Sequence, residues 1–177
     1  MRDDLELDFG IAEFQFARES DEFKNVKYPI IDASTNTSNA LTCLRNEGVD
    51  TIIRYYCRDP HGAWKVIGPT EANKIIQAKL KLCIVYEVSA KESYFSYASG
   101  LLDGKFACQY GMNVIGQPKK SAIYFAIDYD AGSQALQDRI IPYFKGVVEE
   151  VKKAGSPYRI GVYGSGLTCR TMNSILI

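Results

Sequence analysis

The sequence predicts an α/β fold built on a parallel sheet, and three observations carry that prediction. Short apolar runs alternate with helix-like segments five times between residues 28 and 177. The runs are almost continuously apolar, as strands are when both faces of a sheet are covered. A helical segment separates each run from the next, which calls for right-handed crossovers between parallel strands. Two architectures fit: a (β/α) barrel and an open doubly wound sheet. A complete barrel has eight units and about 250 residues. This chain of 177 residues holds five units, so the barrel is expected to be incomplete. A truncated barrel bares a strand edge, so a partner chain is expected over the C-terminal edge.

Each element has its own justification. Residues 1–27 are acidic and irregular in pattern, and read as an N-terminal extension to a domain at 28–177. KYPIIDAS reads as the first strand, and SNALTCLRNEGV as a helix ending near Gly48. TIIRYYCR is the second strand. TEANKIIQAKL is the helix after it, with Thr70 as its expected cap. LCIVYEVS is the third strand, and YFSYASGLLDGKFACQYG is helical in spacing despite its glycines. SAIYFAIDYD is the fourth strand, followed by the long helix QALQDRIIPYFKGVVEEVKKAG, where Gly155 is the expected stop. RIGVYGSG is the fifth strand, and LTCRTMNSILI begins another helix.

Composition narrows the function. The chain is 46% apolar and 24% charged, as in an ordinary globular domain. Lys+Arg and Asp+Glu are equal at 21 each, and no basic run is interleaved with aromatics. That argues against nucleic acid as a partner. The five cysteines are scattered with no CxxC pair, so neither a disulfide framework nor a zinc site is expected. His61 is the one histidine, which leaves little for a Ser–His pair or a His-based metal site. No window reaches the roughly 20 apolar residues of a membrane span, and the N-terminus has no basic start followed by an apolar core. The default expectation is a cytoplasmic protein. YGSG at 163–166 is a strand-to-helix turn without the Lys–Ser/Thr of a phosphate loop, so no cofactor is expected.

The chemistry lies at the carboxyl ends of the strands, the functional face of parallel α/β folds. Asp32 ends the first strand, Glu87 the third, and Asp128 with Asp130 the fourth. Carboxylates ending apolar strands are costly unless they face solvent, a metal or a substrate. Taken singly, each acid is most simply a helix cap or a turn residue. Four on one rim suit glycoside hydrolysis, in which one acid protonates the leaving oxygen and another acts as base, nucleophile or stabiliser. A divalent cation is the weaker alternative, since no calcium loop is present. Arg54, Tyr56 and Tyr163, near the ends of the second and fifth strands, are the expected substrate contacts. Trp64, in the loop RDPHGAWK, is a candidate for stacking on a sugar ring.

Four segments, IDASTNTSNALTCLRNEGVDTIIRYY, AKLKLCIVYE, GQPKKSAIYFAIDYDA and YRIGVYGSG, resemble in this order the glycoside hydrolase-like domain family. That family has a barrel of glycosidase type and no known function, and occurs in bacterial envelope and lysozyme-like proteins. The resemblance spans about residues 28–170. More distantly, the pattern is similar to muramidases with an Asp on the first strand and a DxE motif on the fourth. It implies that Asp32 matches the first-strand Asp and Asp128 the Asp of DxE. Asp130 stands where those enzymes have Glu, one methylene longer, so Glu87 is the other candidate acid. The implied activity is hydrolysis of a cell-wall or related polysaccharide, peptidoglycan included, by an exported or envelope protein. The other reading is a non-catalytic carbohydrate-binding or interaction domain.

Overall fold

The computed structural model describes residues 29–176; the expected N-terminal extension lies outside them. Five strands form one sheet: β1 (Ile30–Asp32), β2 (Thr51–Tyr56), β3 (Lys81–Tyr86), β4 (Ala122–Ile127) and β5 (Arg159–Gly164). Every pairing is parallel, and the spatial order is the chain order. A doubly wound sheet reverses its order at a switch point, and this order has none. Among the described residues no ladder joins β5 back to β1.

The helices are α1 (Leu41–Asn46), α2 (Pro69–Gln77), α3 (Tyr97–Tyr110), α4 (Ser133–Ala135), α5 (Ile141–Lys153) and α6 (Gly166–Leu176). A π-turn at Leu136–Ile140 joins α4 to α5, and another at Gly111–Ile115 extends α3. Short 3-10 turns lie at Pro60–Lys65 and Glu92–Tyr94. The expected cap of α2 is corrected: Gly68 is the N-cap and Pro69 opens the helix, with Thr70 inside it. Proline suits the first helical turn because its missing N–H would have no intrahelical partner there. α1 is shorter than its sequence pattern, and Gly48 follows it at φ 88°. Gly155, at φ 81°, stands just beyond α5 as expected.

Strand alternation divides the core in two. Ile52, Tyr56, Ile84, Tyr86, Ile123 and Phe125 pack with the helices, against residues such as Ile75, Phe144 and Val147. Ile53, Tyr55, Val85 and Ala126 form a second cluster on the other face, with Cys83, Tyr124 and Tyr163 against it. That cluster has members from strands alone. The glycines of α3 also find their reason here. A Cβ on Gly100 would lie 2.0 Å from the carbonyl oxygen of Tyr143, and one on Gly146 would lie 2.3 Å from that of Tyr97. The two helices approach backbone to backbone, which offsets the low helix propensity of glycine.

Candidate functional site

Two side-chain parities on β2 point to different worlds. Arg54 and Tyr56 face the helices, and Tyr55 faces the helix-free side. Arg54 is 1% exposed, and its Nε and Nη2 donate to Glu71 of α2 at 2.9 and 3.1 Å. Its Nη1 donates to the carbonyl of Ala33. Glu71 also accepts from the backbone N–H (2.7 Å) and hydroxyl (3.0 Å) of Thr37, pinning the loop after β1. Tyr56 is fully buried; its hydroxyl donates to Gln117 at 2.9 Å and its ring meets Tyr110 edge-on. The structure therefore does not bring these two expected substrate contacts to the rim. They share a face, as alternation requires, but it is the helix-covered one.

On the helix-free side, residues from every strand converge. Asp32 accepts from the Tyr55 hydroxyl through Oδ1 (2.6 Å) and from the Tyr163 hydroxyl through Oδ2 (3.1 Å). β1 and β5 are the outermost strands, so Tyr163 links opposite edges of the sheet. Glu87, just past β3, receives the Lys65 ammonium at 2.8 Å. Lys65 is buried and lies 5.1 Å from the centre of the Tyr55 ring, within cation–π range. Asp128 follows β4 on the parity of Tyr124 and Ala126, and is exposed.

The phenols report how close these charges are. Burial pushes the Tyr163 phenol up to about 12, and the negative charges of Asp32, Asp128 and Glu87 add to the shift. Burial also raises Tyr55 well above the ordinary tyrosine value, reinforced by its bond to Asp32 and by Glu87. Cys83 is raised to about 11 by burial and then by Asp32. A phenol whose folded value lies above its unfolded one keeps a proton that the unfolded chain has lost. The stabilisation is therefore complete below about pH 10 and is lost as pH rises toward the folded value near 12. Urea midpoints measured between neutral pH and pH 12 should hold up to about pH 10 and then fall. Tyr55→Phe/Tyr163→Phe should make that fall shallower, with the other raised phenols, Tyr56, Tyr86, Tyr94 and Tyr143, supplying the remainder; an unchanged profile would mean that Tyr55 and Tyr163 are not coupled to folding.

Asp130 and Trp64 stand apart from the cluster. β4 ends at Ile127 and the chain bends at Tyr129, so strand alternation does not carry as far as Asp130. Trp64 is 65% exposed in the turn that carries Lys65. Asp59 caps that turn by accepting from the His61 backbone N–H at 2.9 Å. Two residues of the cluster escaped the sequence reading. Tyr55 was one step of alternation away from the two residues chosen on its strand. Lys65 had no local signal, because only the returning turn carries it to Glu87. Among the described residues, no group of three or more His, Cys, Asp or Glu side chains is arranged to hold a metal ion.

The arrangement can accept and donate protons and bind hydroxyl-rich or charged ligands. Comparison with known proteins gives it a family setting. The model of the Rv2525c-like, glycoside hydrolase-like domain family matches residues 42–176. Two Bacillus subtilis (strain 168) proteins are similar in sequence. Uncharacterized protein FadG is 32% identical over 136 residues, covering 75% of this chain and 23% of that protein. Uncharacterized protein YbfG is 33% identical over 147 residues, covering 77% and 20%. The chain thus spans about a fifth to a quarter of these relatives' length. In structure, the chain resembles the Tat-secreted protein Rv2525c of Mycobacterium tuberculosis, known in complexes with HEPES and with L-tartrate. The TM-score is 0.68 at 22% identity, over 81% of this chain and 72% of that one. An uncharacterized B. stearothermophilus protein has TM-score 0.59 at 21% identity, over 76% and 59%.

Proposed function

Since the chain belongs to the Rv2525c-like, glycoside hydrolase-like domain family, we propose that it hydrolyses glycosidic bonds of a cell-wall or related polysaccharide. The observation that carries this is the cluster on the helix-free side of the sheet, where Tyr55 and Tyr163 both donate to Asp32, and Lys65, over the Tyr55 ring, pairs with Glu87. Sequential strand order supports reading the sheet as an arc of a (β/α) barrel of glycosidase type, with this rim as its catalytic face. The Tat-secreted neighbour makes export the preferred location, where such a polysaccharide is met. HEPES and tartrate, bound by that neighbour, both carry hydroxyl and anionic groups, which suits a rim of tyrosines beside Lys65.

The partners of each carboxylate suggest its role. A general acid must be free to reach the leaving oxygen. Glu87 is engaged by the Lys65 ammonium, and both oxygens of Asp32 already accept hydrogen bonds. Among the described residues, Asp128 makes no side-chain hydrogen bond or ion pair, and it is exposed to an arriving substrate. Asp128 is the proposed acid on the leaving oxygen. Asp32, oriented by its two tyrosines, is the second carboxylate: nucleophile, base for water, or support for an N-acetyl group. Lys65 and Glu87 hold Tyr55 and the floor of the rim, and Trp64 is an exposed aromatic surface on the turn that carries Lys65.

Hydrolysis of peptidoglycan and of chitin oligosaccharides by purified protein tests the proposal. Asp128→Asn should lower the rate by about 100- to 10,000-fold, with circular dichroism unchanged, and Asp32→Asn should do likewise. A second reading, carbohydrate binding without turnover, is favoured by the engaged state of Asp32 and Glu87. Sugar binding with no turnover in the wild type would select it. Absence of both would overturn the carbohydrate assignment.

A further inference from the structure

We infer that a pocket beside the fourth strand's turn binds a neutral sugar unit, next to the one held at the carboxylates. The inference rests on the carbohydrate reading above and extends it. The pocket holds about 430 Å³ and is lined by Glu92, Gly132, Gln134, Ala135, Asp138 and Arg139. That is enough for one pyranose ring with its waters, at the lower end of ligand-pocket volumes. Glu92 comes from the loop after β3 and the others from the segment after β4, so the pocket opens on the same strand-end side as Glu87 and Asp128.

Its lining is mixed in sign rather than acidic or basic. Among the described residues, neither Glu92 nor Arg139 makes an ion pair. Gln134 donates to Asp138 at 2.6 Å, leaving Asp138 with acceptor capacity. Donors and acceptors without mutual partners suit a ligand whose every hydroxyl both donates and accepts. Asp138 and Arg139 sit on the π-turn Leu136–Ile140, a backbone form that recurs where helices carry functional groups.

Tyr129 is the independent observation. Its hydroxyl is buried and, among the described residues, has no hydrogen-bond partner, a state that costs free energy unless something meets it. Burial raises this phenol; of two walls of the pocket, Glu92 adds to the shift and Arg139 opposes it. Its ring stacks on Phe95 of the core at 5.6 Å, which fixes its position. A sugar hydroxyl entering between Glu92 and Arg139 would supply the missing partner.

Titration of the full chain with the methyl β-glycoside of N-acetylglucosamine and with the β-1,4-linked trimer, followed by amide chemical shifts, tests this. The trimer should shift the amides of Gly132, Gln134 and Arg139 together with those of Asp32 and Glu87. Arg139→Ala and Glu92→Gln should each weaken the trimer about tenfold and the monomer's shifts should vanish from the pocket. Tyr129→Phe discriminates further. Removing an orphan hydroxyl should leave stability equal or higher, yet it should weaken the trimer. Shifts confined to the carboxylate rim, or variants that bind like the wild type, would overturn the pocket while leaving the carbohydrate reading standing. No sugar-induced shift anywhere would overturn both.

Discussion

Asp103→Ala should lower the free energy of unfolding by about 3–5 kcal/mol, read from urea denaturation at neutral pH. Asp103 lies on α3 with no solvent exposure. It accepts from the hydroxyls of Tyr86 (2.9 Å), Tyr94 (2.8 Å) and Tyr143 (2.9 Å), and from Arg58 Nε at 2.7 Å. Truncation strips one carboxylate and leaves four donors around a cavity. Tyr86 and Tyr143 are each 1% exposed, so water cannot readily replace it. An unsatisfied buried hydroxyl costs about 1–3 kcal/mol, and the unpaired guanidinium adds to that. Asp103→Asn keeps an acceptor oxygen and should fall between the variant and the wild type. The effect also reaches the rim. Arg58 begins the loop that returns Lys65 to the site, and Asp103 is its anchor in the helical layer. Glycan hydrolysis or binding should therefore fall in the Asn variant even under conditions where it is folded. A loss below about 1 kcal/mol for Asp103→Ala would show that water or repacking satisfies the tyrosines.

Glu71→Ala should destabilise by a similar amount, about 3–5 kcal/mol. Arg54 and Glu71 are both about 1% exposed in their side chains, so the variant strands a buried guanidinium. The pair itself is not expected to add that much stability, because burying both charges costs nearly what their attraction returns. The double variant Arg54→Met/Glu71→Met separates the two statements. It should recover most of the loss, since neither charge is then left alone. If it is as unstable as Glu71→Ala, the pair contributes through geometry that methionines cannot supply. That geometry is visible: Glu71 also holds Thr37, and Arg54 holds Ala33, so the loop after β1 is tied to α2 next to Asp32. Rescued stability with weakened glycan binding is the expected outcome.

Several features were legible in the residue order. Apolar runs at 30–32, 51–56, 81–86, 122–127 and 159–164 became five parallel strands. The reason is local: β-branched and aromatic runs of this length, separated by helix-length segments, have few other ways to bury themselves. The same count placed Asp32, Glu87 and Asp128 at or just past the ends of β1, β3 and β4. Thr70 was misread because Gly68 and Pro69 together offer a better helix start than a threonine two residues later.

Other features depended on distance in space. Arg54 reads as a functional cation in sequence, yet Glu71, on the next helix, takes it into the core. Lys65 reads as a loop residue, yet the fold of its turn buries it against Tyr55 and Glu87. Asp103 reads as one acid in a glycine-rich helix, and only the packing of α3 on α5 surrounds it with tyrosines. Which segments are strands and helices, and which acids stand where strands end, follows from residue order, because periodicity and alternation act over a few residues. Only the three-dimensional packing set which charges are paired, which face of β2 meets the rim, and which hydroxyl lacks a partner among the described residues. Those outcomes depend on burial and on groups tens of residues apart, where the free energy of a charge is set by its neighbours in space.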